Sequence, residues 1–113
     1  LEALGYDFVR NVSDIADSAK KVICIAEEMD RAATVSNIDL LADATRRSIA
    51  KLTKANPEGL FMMVEGAKID YAGHSRCLPG SVMETLSFDK AVAEALKFAD
   101  TNGETLVIVT ADH

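Results

Sequence analysis

Short uninterrupted apolar runs alternate along the chain with longer stretches in which apolar residues recur every three to four positions. "KVICIA" (21–26), "LFMMVE" (60–65) and "TLVIVT" (105–110) are runs of the kind that form strands buried on both faces. A fourth, shorter strand is expected over Tyr6–Val9, after a helix end closed by Gly5, since glycine accepts the left-handed conformation that terminates helices. Helical spacing is clearest from Asn37 to about Ala55, where Ile38, Leu41, Ala42, Thr45, Ile49 and Leu52 share one stripe and "NPEG" (56–59) ends it. A second helix, with Phe88, Val92, Ala95, Leu96 and Ala99 on one face, is expected to run to about Asp100. It would open on the S-x-x-E capping box of Ser81 and Glu84 and close on Asn102-Gly103. "SDIADSA" (13–19) predicts a brief helical crossover with Ser13 at its N-cap. Residues 27–36 carry no periodic pattern. Gly66–Gly80 reads as a long polar loop, of a length that compact domains usually reserve for function.

Strands alternating with helices predict an α/β fold: a piece of a mostly parallel sheet flanked by helices, with right-handed crossovers. The 113 residues, 49% of them apolar, are enough to fill one small core. The chain opens on Leu1 and stops on Asp112-His113 directly after an apolar run, which predicts that residues 1–113 are an internal piece of one larger domain. Repeats and low-complexity segments are absent.

Charge narrows the partners. The net charge is −6, with acids and bases interspersed, which argues against nucleic acid and against an anionic membrane surface. No apolar run approaches the roughly 20 residues of a membrane span. Cys24, inside "VICIA", is expected to be a buried thiol. Cys77 falls in the loop near His74, without the C-x-x-C spacing of a metal or redox site.

The candidate chemistry sits where the apolar runs end. Glu65 closes one, Asp112 and His113 follow another, and Asp70 and His74 occupy the intervening loop. Ligands of open parallel sheets bind at the carboxyl ends of strands. If the two strands are neighbours, with Glu65 and Asp112 at one edge, three carboxylates and two imidazoles converge, a donor set suited to zinc and magnesium. Asp70 and His74 are four apart, so one helical turn lets both grip one ion. Asp112 and His113 are adjacent, so the chain must bend after Thr110 for both to reach another. Glu65 would serve a third, harder site. Taken singly, each of these residues is as readily a solvated surface group.

"VEGAKIDYAGH", "ETLSFDKAV" and "LVIVTADH", in this order and spacing, closely resemble the alkaline phosphatase family. The resemblance is specific over residues 59–113 and weaker through the helix at 37–55. It implies a metal-dependent hydrolase of small phosphate monoesters that works through a phosphoserine. It implies that Glu65 binds magnesium, that Asp70 and His74 bind a first zinc, and that Asp112 and His113 bind a second. Tyr71 stands at a position that in such enzymes often lies near the phosphate, although a packing role is equally compatible. Glu84 also matches the family pattern, and the capping box accounts for it structurally. The nucleophilic serine in its Asp-Ser-Ala context, the phosphate-binding arginine and the third ligand of the first zinc have no counterpart here. The chain alone is therefore expected to be inactive. Family membership further suggests an exported enzyme and leaves a homodimeric parent open. The alternatives are a phosphodiesterase or sulfatase of the same superfamily, or a non-catalytic α/β domain.

Overall fold

In the computed structural model, residues 2–16, 21–27 and 37–113 are described. Two short strands, β1 (Tyr6–Val9) and β2 (Lys21–Cys24), pair in parallel, with Tyr6 opposite Lys21 and Val9 opposite Cys24. Gly5, at φ 78°, turns the chain from a 3-10 turn (Glu2–Leu4) into β1 as expected. β2 stops at Cys24, and Val22, Ile23 and Cys24 are only half-buried, with one described neighbour strand and little cover. The Cys24 thiol, expected to be buried, is likewise half-buried. Desolvation, followed by the nearby Asp14 carboxylate, raises its pKa.

The crossover after β1 starts as a 3-10 turn at Val12–Asp14, but its cap is Asn11 and not Ser13. Asn11 holds the extended cap conformation (φ −129°, ψ 145°), and its Nδ2 donates to Asp14 Oδ2 at 2.7 Å. The part of that crossover after Ala16, and all of 27–36 except Glu27, lie outside the described residues.

α1 (Leu40–Ala55) follows the predicted stripe, with Ala42, Thr45 and Ile49 buried. The Asn37 side chain accepts the Asp39 N–H just before it, and Asn56 ends it, donating its N–H to the Leu52 carbonyl. Two long cations fasten α1 to the crossover: Arg47 donates to the Ser13 carbonyl and Lys51 Nζ to the Ala16 carbonyl, both at 3.2 Å.

The predicted loop 66–80 is mostly helical. α2 (Lys68–His74) occupies its first half, and α3 (Leu78–Asn102) begins three residues before Ser81. Pro79 in the first turn of α3 suits a position whose N–H needs no partner. The expected capping box therefore does not form: Cys77 is the N-cap, Ser81 is already helical, and Glu84 is buried. Gly103, at φ 74°, closes α3 as predicted. α3 packs on both α1 and α2. The buried Ser87 hydroxyl donates to the Ile38 carbonyl at 2.9 Å, and Lys90 pairs with Asp39 at the start of α1.

The strands expected at 60–65 and 105–110 are absent as ladders. Both segments run without helix or turn, and their side chains alternate between half-buried and exposed from Leu60 to Glu65 and from Thr105 to Ile108. That two-residue period is the signature of an extended chain. A strand also needs a hydrogen-bonded neighbour, and among the described residues none lies alongside. Their outer faces stay open: Phe61 is 92% exposed and Leu106 82%.

Candidate metal-ligand cluster beside α2

α2 is held by close approach on one side. Ile69 and Ala72 lie toward α3, and a Cβ on Gly66 would stand 3.0 Å from Cγ and Cδ2 of the Phe88 ring. A Cβ on Gly80 would stand 3.3 Å from that of Ala72. Both glycines therefore let α2 settle against α3 more closely than a side chain would allow. After α2 the chain reverses through Arg76 at φ 52°, and the Cys77 N–H reaches back to the Ala72 carbonyl at 2.9 Å.

With that side of α2 against α3, Asp70 and His74 share the open side, one turn apart. His74 Nε2 lies 3.2 Å from Asp70 Oδ2. The end of the chain returns to the same place: His113 Nε2 lies 3.4 Å from Asp70 Oδ1, and His113 Nδ1 lies 3.1 Å from Asp112 Oδ1. Asp70 thus faces a different imidazole with each of its oxygens. The Asp112 carboxylate, reinforced by the charge of Asp70, raises the pKa of His113 above the ordinary imidazole value. The His113 ring in turn lowers that of Asp112.

Four of the five expected ligands are brought together, and both expected pairs, Asp70 with His74 and Asp112 with His113, are in contact. The pairs are not separate, because Asp70 also meets His113. Among the described residues no three His, Cys, Asp or Glu side chains close around one point. Glu65 is exposed at the end of the 60–66 segment and has no ion pair with the other four among the described residues. Tyr71 is 60% exposed, with the Lys68 ammonium 5.3 Å from its ring centroid. Cys77, expected in a loop, caps α3 as a free, exposed thiol.

The donors are of the kinds that zinc takes, and the spacing within each pair, 3.2 and 3.1 Å, is that of a direct carboxylate–imidazole contact. Each pair supplies two donors, where a zinc site normally has three or four. Each imidazole instead meets a carboxylate oxygen directly.

Sequence reading invoked one helical turn at Asp70–His74 but took the segment for a loop, although Ile69 and Ala72, three apart within "AKIDYAGH", are the short apolar stripe of α2. It also missed the contacts of Gly66 and Gly80, which no local pattern announces.

The family model for alkaline phosphatase matches residues 16–113. Alkaline phosphatase H of Pseudomonas aeruginosa is 50% identical over 69% of this chain and 16% of its own length. Alkaline phosphatase 3 of Bacillus subtilis is 34% identical over 96% of this chain and 24% of its own. Streptomycin-6-phosphate phosphatase of Streptomyces griseus is 47% identical over 65% of this chain and 18% of its own. The chain thus spans about a sixth to a quarter of the length of these relatives. No solved structure matches.

Proposed function

The chain belongs to the alkaline phosphatase family, and on that premise we propose that it is the metal-ligating part of one larger domain that hydrolyses phosphate monoesters. The observation that carries this reading is the meeting of Asp70, His74, Asp112 and His113 at one place, from two segments far apart in the chain.

Asp70 and His74 would hold one zinc, Asp112 and His113 a second, and Glu65 a magnesium ion. Metals so placed supply positive charge on both sides of an in-line displacement and lower the pKa of the attacking oxygen. The remaining work falls to the side chains. Asp70, with one oxygen toward each imidazole, brings the helical pair and the chain end to one place. Gly66 and Gly80 hold α2 against α3 and so fix where Asp70 stands. Tyr71, exposed on the same helix, offers a hydroxyl to a phosphate oxygen. The nucleophilic serine that carries the phosphoryl group, and the arginine that binds it, belong to parts of the protein outside these residues. The substrate class is a small phosphate monoester, bound without nucleic acid or membrane.

Asp70→Ala and His113→Ala in the full-length protein test this. Loss of a group that merely orients a ligand weakens metal binding or activity by about 10–100-fold, and loss of a ligand exceeds that. Both variants are expected to lose bound zinc and nearly all turnover. Unchanged zinc content and turnover in His113→Ala would remove that residue from the site.

A further inference from the structure

Lys68 and Tyr71 stand one turn apart on α2, with the Lys68 ammonium 5.3 Å from the Tyr71 ring centroid. At 3.6 residues per turn, Asp70 and His74 lie about 40° apart around the helix, Tyr71 about 60° beyond His74, and Lys68 about 60° beyond Tyr71. The Tyr71 ring is therefore bounded by the ligand pair on one side and by Lys68 on the other. Being 60% exposed, it has little packing to choose its direction. A cation over an aromatic face supplies that choice, since the ring quadrupole attracts it.

We propose that Lys68 is a positioning residue for Tyr71. Its ammonium holds the ring so that the phenol hydroxyl is presented to the phosphate beside Asp70 and His74. This rests on the reading of the site as that of a phosphatase with Tyr71 at its phosphate. The lysine acts through the ring and not by touching the phosphate.

The test uses the full-length protein, a chromogenic aryl phosphate as substrate and inorganic phosphate as competitive inhibitor. Lys68→Met removes the charge and keeps the apolar stem. It is expected to weaken inhibition by phosphate and raise KM by about 2–5-fold, the range of an exposed cation–π contact, with zinc content unchanged. Lys68→Arg, which also sits on aromatic faces, is expected to restore both values. Tyr71→Phe keeps the ring under the ammonium and removes only the hydroxyl. It should weaken phosphate inhibition at least as much, and adding Lys68→Met to it should do nothing further. If Tyr71→Phe leaves phosphate inhibition unchanged, the placement of Tyr71 at the phosphate falls, and this proposal with it. If Tyr71→Phe weakens inhibition while Lys68→Met is silent, or remains additive in the double variant, Tyr71 keeps its role and the positioning by Lys68 is overturned.

Discussion

Asp70 and His74 stand on a helix, whereas Glu65, Asp112 and His113 stand at the ends of extended segments, and the two settings are anchored in different ways. A helix satisfies its backbone within itself, so α2 needs only a seat, and Gly66 and Gly80 provide one against α3. An extended segment satisfies its backbone only through a neighbour. Segments 60–66 and 105–108 rest one side on the rest of the chain and leave the other open, with Phe61, Met63, Leu106 and Ile108 all more than 70% exposed. β1 and β2, which have each other, do form a ladder. Local elements thus place two of the five candidate ligands by themselves, and the other three depend on partners lateral to them.

The contrast breaks if the open half turns out to be dispensable. With zinc and magnesium added at alkaline pH, the purified 113-residue chain is expected to show no turnover of a chromogenic phosphate monoester, since on the proposed reading the nucleophile lies outside these residues and each zinc would have two of its three or four ligands. Clear turnover that disappears in His74→Ala would show that residues beyond these 113 are dispensable, and the extended half's need of lateral partners would be lost with them.

The next effect concerns protons. The pKa of His113 is raised, so its pairing with Asp112 and Asp70 is complete below the unfolded imidazole value of 6.5 and is lost as pH rises through the higher folded value. The pKa of Asp112 is lowered, so its share is present above the ordinary 3.8 and is lost as pH falls through the lower folded value. Zinc can use His113 only by displacing that proton. Zinc uptake is therefore expected to strengthen by up to about tenfold per pH unit while the ring is protonated. The His113 imidazole of the metal-free chain, followed by NMR, should titrate above 6.5. A midpoint at or below that value would show that the ring meets neither Asp112 nor Asp70 in solution.

Two substitutions sharpen the comparison further. Gly66→Ala drives a Cβ against the Phe88 ring, and overpacking of this kind costs about 1–3 kcal/mol. Phe61→Ser, on the open face of the extended segment, is expected to change stability by less than about 0.5 kcal/mol. Thermal or denaturant unfolding measures both. A costly Phe61→Ser would mean that the outer face is already covered.

Legibility followed the same division. The stripe of α1, the closure of α3 at Gly103, the turn at Gly5 and β1 could be read directly, because spacing and glycine act locally. The family, and the meeting of Asp70, His74, Asp112 and His113, were legible from motifs. The ladders expected at 60–65 and 105–110 were misjudged because an apolar run states what a segment wants to bury and not whether a neighbour is present. The capping box at Ser81 failed because Pro79 favours an earlier first turn. The loop 66–80 failed because glycines that usually mark loops here serve helix–helix contact.

The return of the chain end to α2 has a consequence for the length of the arm that carries it. α3, at 25 residues, carries the chain about 37 Å from α2. The ten residues after Gly103, extended, carry it about 33 Å back, to put His113 against Asp70. The helix therefore acts as a gauge for the arm. Inserting or deleting one residue in 104–112 would shift His113 by about 3.3 Å and turn it to the opposite face. The arm's residue count is therefore as much a part of the site as the side chains at its end.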